Sequence, residues 1–412
     1  MESRWDDNRP SDPVIPEDPA VLSDAKRVYR ETEIDPFLDE GVVPIEAQCP
    51  YFGVCGGCHL QHLPYDAQLQ VKTRRVSHAF KAAGVELPLP DRIRGMDDPW
   101  SYRNKVDFST RIFGGVMRLG FSHFGSGRVV ETEACAIASH SINEALGGFR
   151  RAFPEHPRLK RKIHSLILRS GNGDTEAVAL YHTRLKDHAE LEALTGEARG
   201  FAPRLKGGGF VNKKRMSAFG DIELSETLSG IEYRYSLGSF FQANPEQTAR
   251  LVEEVLAWAD PQPADRVLDL YSGVGLFTLQ LASRVAQVVA LEDSPSSCAD
   301  ASANTERLGL SNVLVLKGQV EARLPVVLAT DRLPDLAVLD PPRSGCAPEV
   351  LETLISSRIP RLVYVSCDPR SLAGDAALLI HGGYRLAGLS LVDMFPQTLH
   401  VECVASFIRS TC

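Results

Sequence analysis

From residue 239 to the C-terminus, short apolar segments alternate with segments of helical periodicity. The apolar segments have the composition of strands buried on both faces, and they are RVLDL, VVALE, NVLVL, LAVLD and RLVYVS. The first helical segment begins with Asn244 as an N-cap and Pro245 at the first helical position. This alternation predicts a doubly wound α/β domain, which we assign to residues 231–412.

Three of the predicted strands end in residues that can carry chemistry. They are Gly273 in DLYSGVG, Asp340 in VLDPPR and Cys367 in VSCDP. The carboxyl ends of parallel strands meet at one edge of a sheet, where doubly wound proteins bind their ligands. A cysteine at a strand end is more often a small buried residue than a catalyst, so a role for Cys367 as nucleophile depends on its neighbours. The two prolines of DPPR form a rigid lip that suits a simple turn as well as it suits a base-binding site.

The DLYSGVG segment is a shortened nucleotide-binding turn. Gly273 and Gly275 allow the backbone to approach a ligand closely, and an acid on the next strand can hold ribose hydroxyls. Glu292 lies at the expected place, 19 residues after Gly273 (292 − 273). A GxG alone is weak evidence, and the full G-x-G-x-x-G of dinucleotide-binding folds is absent. The turn therefore favours S-adenosylmethionine, which has no pyrophosphate, over NAD.

A second group of residues suggests a metal centre. Cys49, Cys55 and Cys58 have the spacing C-x5-C-x2-C, with two glycines between the last two, and Cys135 is the best candidate for a fourth ligand. Four thiolates can hold zinc or an iron–sulfur cluster. Because zinc sites usually pair two C-x2–4-C knuckles, the C-x5-C spacing favours iron–sulfur.

The net charge of −8 is unevenly distributed along the chain. Residues 1–48 carry 5 basic and 13 acidic side chains (−8), residues 49–225 carry 26 and 18 (+8), and residues 226–412 carry 14 and 22 (−8). The basic middle part also has alternating apolar patterns and Gly-rich turns typical of antiparallel sheet. A basic sheet with aromatics among its cations suits RNA binding, although a solvated basic face is an equally good interpretation of charge alone.

Composition excludes several classes of protein. No apolar run approaches the ~20 residues of a membrane span, and the polar, acidic N-terminus is unlike a signal peptide. We therefore expect a cytoplasmic protein, and a monomer. Nine cysteines in such a chain favour metal or catalytic roles over a disulfide framework.

Together these motifs resemble those of the RNA 5-methyluridine methyltransferases, which methylate uracil C5 in tRNA or ribosomal RNA. The resemblance extends from Cys49 to the C-terminus. The motifs that carry it are CPYFGVCGGC, SYRNKVDF, SFFQANPEQ, DLYSGVG, LDPPRSG, VSCDP and FPQTLHVE.

The resemblance implies specific roles. A 4Fe–4S cluster is expected on Cys49, Cys55, Cys58 and Cys135, together with a class I methyltransferase fold for residues 231–412. Cys367 is implied as the nucleophile and Glu402 as the base. The residues implied to bind S-adenosylmethionine are Gln242, Tyr271, Gly273, Glu292 and Asp340.

The chemistry explains why these residue types are needed. Uracil C5 is a poor nucleophile, but addition of a thiolate to C6 gives C5 carbanion character, so that it can accept a methyl group. A base must then remove the C5 proton to release the cysteine. We expect the pKa of Cys367 to be lowered, by Arg370 or by the start of the following helix.

The sequence departs from the family in two places. Gln319 stands where an acid or Asn usually contacts adenine, and residues 1–48 look like a partly disordered tail that keeps only the end of an RNA-binding TRAM barrel. Residues 49–230 form the expected cysteine-containing, β-rich RNA-binding domain. With a cluster expected and the barrel incomplete, 23S ribosomal RNA is the favoured substrate. The alternatives are tRNA, an RNA 5-methylcytosine methyltransferase and a non-catalytic iron–sulfur RNA-binding protein.

Overall fold

The computed structural model describes residue 30 and residues 33–87, 93–113, 116–124, 128–159, 161–185, 188–212, 215–329 and 332–410. The disorder predicted at the start of the N-terminal tail lies outside these residues. Between residues 33 and 48 the regular structure is a short 3-10 helix, Asp35–Phe37.

Nine α-helices lie in the described part of the chain. In chain order they are α1 (Tyr65–Ala82), α2 (His140–Ala152), α3 (Ala189–Arg199), α4 (Pro245–Ala259), α5 (Leu276–Ala282), α6 (Pro295–Arg307), α7 (Val320–Leu328), α8 (Pro348–Ser357) and α9 (Pro369–His381).

The strands form two large sheets and a hairpin. In chain order the strands are β1 (Ile93–Arg94), β2 (Lys105–Phe113), β3 (Val116–Ser122), β4 (Val129–Glu131), β5 (Ile163–Gly171), β6 (Glu176–Thr183), β7 (Leu205–Asn212), β8 (Arg215–Gly220), β9 (Leu224–Leu228), β10 (Ile231–Tyr235), β11 (Arg266–Leu270), β12 (Gln287–Glu292), β13 (Val313–Lys317), β14 (Leu336–Leu339), β15 (Arg361–Ser366), β16 (Tyr384–Val392) and β17 (Glu402–Arg409).

The larger sheet has eight strands in the order β1-β16-β17-β15-β14-β11-β12-β13. The five strands from β15 to β13 are parallel, whereas β17 is antiparallel to both β15 and β16. Both faces are apolar, since Leu362 and Tyr364 pack into one core while Val363 and Val365 pack into the other. Strands covered on both sides explain the continuous apolar runs in the sequence, and the predicted α/β class is confirmed.

The second sheet has seven strands in the order β4-β3-β2-β5-β6-β7-β8, and all of its pairs except β6 with β7 are antiparallel. Helices α2 and α3 cover one face. On the other face, Ile167, Val178 and Leu180 share a core with α4 and the larger sheet. The two sheets are therefore joined by continuous apolar packing.

Helix α1 belongs by its packing to the larger sheet. Its Val76 and Phe80 are fully buried in the core formed with α8 and α9, and β1 extends the same sheet by pairing with β16. Helix α1 and strand β1 thus pack with the α/β layer, although they lie inside the predicted central range of 49–230. The boundaries between the predicted domains stay a prediction.

Candidate active site

Cys367 lies in the connection between β15 and α9. Ser366 ends the strand, and Asp368 caps the helix by accepting hydrogen bonds from the amides of Arg370 (2.8 Å) and Ser371 (3.3 Å). Pro369 occupies the first helical position, where its missing N–H costs nothing. This cap holds the half-buried cysteine at the carboxyl edge of the sheet.

Glu402 lies close to Cys367. Strand β17 runs antiparallel to β15, and the last pair of that ladder is Ser366 with Cys403, so Cys367 and Glu402 are the next residues along the chain beyond it. The two side chains are near enough for the Glu402 carboxylate to act on the Cys367 thiol. The structure therefore brings together the two residues predicted to be catalytic, and it buries the Glu402 side chain at the first position of β17.

Burial dominates the electrostatics of this pair. It raises the pKa of Cys367 to about 11, the Glu402 carboxylate adds to the rise, and the Arg343 guanidinium opposes it. Burial together with the charge of Asp340 also raises the pKa of Glu402 well above its ordinary value, again against Arg343. A general base must take up a proton, and a carboxyl whose pKa is raised has a greater affinity for one.

The prediction that the pKa of Cys367 is lowered is wrong, because burial raises it, and Arg370 is not the cation beside the thiol. The exposed Arg370 guanidinium turns away and pairs with Glu33 (Nη2–Oε2 3.2 Å), whereas Arg343 is the cation that acts on the thiol. The assignment of site residues missed Arg343, although the DPPR motif that it ends was recognised. It also missed His400, whose pKa falls to about 4 through burial and the nearby Arg343.

The predicted nucleotide-binding turn has the backbone that it needs. Tyr271, Gly273 and Gly275 all have positive φ (64°, 56° and 90°), a conformation that favours glycine at the last two positions. Glu292 accepts hydrogen bonds from the amides of Gly273 (Oε2, 2.8 Å) and Ser294 (Oε1, 2.7 Å). The turn and the acid on the next strand thus form one unit.

Unsatisfied polar groups surround this turn. Asp269 Oδ1 and Ser272 Oγ are buried without a hydrogen-bond partner, which is costly unless a ligand provides one. Burial and the Asp269 carboxyl raise the pKa of Asp340 to about 7, and burial raises that of Asp269 to about 7. These features fit a polar ligand such as S-adenosylmethionine.

The remaining predicted cofactor residues lie in different surroundings. Tyr271 is half-buried against the core of the larger sheet. Gln242 is buried in the loop before α4, next to Asn244, whose side-chain amide donates to the Met394 carbonyl (3.1 Å). Gln319 is the N-cap of α7 and makes no capping hydrogen bond.

The four predicted cluster ligands Cys49, Cys55, Cys58 and Cys135 line one cavity of about 230 Å³. Burial raises the pKa of Cys58, and the Cys135 thiol adds to the rise. Gly56 allows the loop to approach the second sheet, because a Cβ there would lie 3.1 Å from the Ser122 carbonyl oxygen. Among the described residues, no three His, Cys, Asp or Glu side chains are grouped so as to hold a metal ion.

Several cations of the second sheet are already paired. Arg118 pairs with Glu131, and Lys206 pairs with Glu176 (2.8 Å). Arg103 lies over the Phe395 ring, 5.8 Å from its centroid, next to the cysteine cavity. Within the described residues, no helix is long and apolar enough to cross a membrane.

The family model described as tRNA (Uracil-5-)-methyltransferase matches residues 64–410. The chain belongs to this family. It is 32% identical over 403 residues to an RNA methyltransferase of Halalkalibacterium halodurans, covering 92% of this chain and 87% of that protein. It is 33% identical to an RNA methyltransferase of Listeria monocytogenes, with 91% and 86% covered.

A solved structure shares the fold. The Pyrococcus abyssi tRNA (uracil-54, C5)-methyltransferase, in complex with S-adenosyl-L-homocysteine, has a TM-score of 0.69 and 24% identity, with 86% of each chain covered. The predicted family and enzyme class are confirmed: the protein is an RNA methyltransferase of the uracil-5 family.

Proposed function

We propose that the protein transfers a methyl group from S-adenosylmethionine to C5 of uracil in structured RNA through a covalent adduct between Cys367 and uracil C6. The observation that carries this proposal is the pairing of β15 with β17 through Ser366 and Cys403, which leaves Cys367 and Glu402 as the next residues beyond the ladder, both within the influence of Arg343. The pairing supplies a nucleophile, a base and a cation at one strand end.

In the proposed reaction, the Cys367 sulfur forms a bond to C6, and the electron pair of the C5–C6 double bond moves toward C5 and the C4 oxygen. Arg343 stabilises the thiolate, which offsets part of the pKa rise caused by burial. S-Adenosylmethionine, when bound, would supply an electrophilic methyl group to C5; its S–CH3 bond would break, and S-adenosylhomocysteine would be the leaving group. Glu402 then takes the C5 proton, and the electrons of the C5–H bond re-form the double bond and expel the Cys367 thiolate.

The residues proposed to hold S-adenosylmethionine are Gln242, Tyr271, Gly273, Glu292 and Asp340. Support comes from the open backbone turn, the unsatisfied Asp269 and Ser272 oxygens, and the Glu292 carboxylate at the end of β12. An acid at this position accepts hydrogen bonds from ribose hydroxyls.

Replacing Glu292 by alanine is expected to weaken binding of S-adenosylmethionine about 10- to 100-fold, since hydrogen bonds to a charged group contribute ~1.5–3 kcal/mol. Isothermal titration calorimetry measures this. The matched control is Asp293→Asn, which neutralises the exposed neighbouring acid and should bind as the wild type does. Unchanged affinity in Glu292→Ala would show that Glu292 is not a ligand.

We also propose a 4Fe–4S cluster on Cys49, Cys55, Cys58 and Cys135. Each cysteine of such a cluster binds a different iron, so ligands arranged around a cavity suit a cluster better than a single ion. The cluster would cross-link residues 49–58, which we call the cysteine loop, to the segment that contains Cys135. Its role would then be structural.

The cluster predicts about four iron and four acid-labile sulfide per chain after anaerobic purification, with broad visible absorption. In Cys58→Ser the iron content should fall by more than half, because one of four ligands is lost. Cys298 lies outside the cavity lined by the four cysteines, so Cys298→Ser should retain the wild-type iron content. Stoichiometric zinc without sulfide would contradict the cluster.

For the substrate, we propose 23S ribosomal RNA, with tRNA as the second candidate. The four cysteines proposed to hold a cluster are the reason for preferring 23S ribosomal RNA. The family description and the tRNA specificity of the Pyrococcus abyssi protein favour the second. Mapping 5-methyluridine by mass spectrometry in rRNA and tRNA from a deletion strain tests both, since the uridine that loses its methyl group identifies the substrate. An unchanged 5-methyluridine content in both RNAs would contradict the proposed function.

A further inference from the structure

A nine-residue segment, residues 393–401, connects β16 to the proposed base Glu402. We call it the 393–401 segment. Asp393, Gln397 and Thr398 are almost completely buried in it, and Gln397 has a positive φ of 68°. A non-glycine residue keeps that conformation only where its surroundings impose it. The contacts that impose it come from elements far away in sequence.

The first of these contacts is a buried ion pair between Asp393 and Lys72 of α1. The Lys72 ammonium contacts Asp393 Oδ1, and both side chains are fully buried. Tyr65 donates to Asp393 Oδ2 (2.8 Å), and Lys72 also donates to the Phe395 carbonyl (3.0 Å). A buried ion pair adds little net stability compared with apolar residues, because desolvation offsets the attraction. Its benefit here is geometric, since it fixes where the 393–401 segment begins.

A second contact from α1 fixes the middle of the segment. The Gln68 side-chain amide donates to Gln397 Oε1 (2.9 Å), and Gln68 Oε1 accepts from the Gln397 backbone amide (3.1 Å). From the other side, the backbone amides of His59 and Leu60 both donate to the Gln397 carbonyl (2.9 and 3.0 Å). The segment is therefore held between α1 and the residues directly after the cysteine loop.

The hydrogen bonds that hold the nucleophile are different ones. Cys367 is held by β15 and by the Asp368 cap of α9. Glu402, in contrast, is the first residue of β17, and the 393–401 segment leads directly into it. Disturbing the segment should displace the base more than the nucleophile.

We propose that Lys72, Asp393 and Gln68 are positioning residues that aim the Glu402 carboxylate at the C5 proton. This inference rests on the proposed function, because it assigns these residues to the proton-removal step. They act through Glu402 and touch neither RNA nor cofactor in the proposed reaction.

The test separates the steps before and after methyl transfer. In vitro transcripts of 23S rRNA and tRNA are made with 5-fluorouridine or with uridine. Fluorine at C5 cannot be removed as a proton, so the methylated adduct persists, and its rate of formation requires no base. On uridine transcripts, product formation requires the base as well. The ratio of the two rates therefore isolates the step assigned to Glu402.

The main variant is the double substitution Lys72→Met/Asp393→Asn, which leaves no unpaired buried charge. We expect its adduct rate on 5-fluorouridine RNA to stay within about twofold of the wild-type rate, while turnover on uridine RNA falls at least about tenfold and adduct accumulates. Gln68→Ala should show the same pattern more weakly. If the double variant does not fold, the Gln68→Ala variant alone tests the inference.

A matched control lies at the other end of β15. Arg361 pairs there with Asp265 (Nη2–Oδ2 2.6 Å), and Arg361→Met/Asp265→Asn should leave the ratio of the two rates unchanged. An equal fall of both rates in the Lys72 and Gln68 variants, or no fall, would overturn the inference. A wild-type protein that forms no adduct on 5-fluorouridine RNA would instead refute the proposed function.

Discussion

Replacing Cys367 by alanine is expected to abolish methylation. Without the sulfur, no bond forms to C6 and C5 stays a poor nucleophile, so the rate should fall by at least ~10³-fold, in the range seen when other enzymes lose their nucleophile. Transfer of labelled methyl groups to total RNA from a deletion strain measures the loss. S-Adenosylmethionine should still bind, because no predicted cofactor residue is changed.

The matched control is Cys298→Ser. The buried Cys298 thiol donates to the Glu292 carbonyl (3.2 Å), and a serine hydroxyl can make the same hydrogen bond. This variant should keep nearly full activity. Full methylation by Cys367→Ala would rule out the proposed covalent mechanism.

Replacing Glu402 by glutamine is expected to stop the reaction after methyl transfer. The amide cannot accept the C5 proton, so turnover should fall about 10²- to 10⁴-fold. The bond between Cys367 and C6 then persists, and the protein should migrate with RNA on a denaturing gel. The side chains are nearly isosteric, so folding should be little affected.

The adduct must depend on the nucleophile. Combining Glu402→Gln with Cys367→Ala should remove the shifted band, which locates the bond at Cys367. Absence of any denaturant-resistant species with Glu402→Gln alone would argue against Glu402 as the base.

Much of the fold was predictable from local pattern. Apolar runs such as Leu362–Val365 identified strands buried on both faces. Residues 65–83 have apolar side chains near helical spacing, with Gly84 as a stop, which predicts a helix, and the structure has one at Tyr65–Ala82. The pattern could not say where that helix packs. Periodicity reveals that one face is buried, but not against which partner, and α1 packs on the larger sheet.

The charges near the nucleophile were predicted less well. Arg370 is three residues from Cys367 in sequence, yet it pairs with Glu33, which is 337 residues away from it. Arg343 comes from the end of another strand and acts on the thiol instead. Proximity in sequence is a poor guide here, because long side chains follow the tertiary surface on which they lie.

By itself, the sequence determined the α/β class and the family and indicated the candidate site residues, since these depend on local patterns and short motifs. Only the tertiary structure decided which of these residues lie next to each other in space. Cys367 and Glu402 are 35 residues apart (402 − 367), and they become neighbours because β17 inserts antiparallel between β15 and β16. The buried Lys72–Asp393 pair spans 321 residues. Strand insertion and the burial of distant charges depend on how complete layers pack, and no local pattern encodes that.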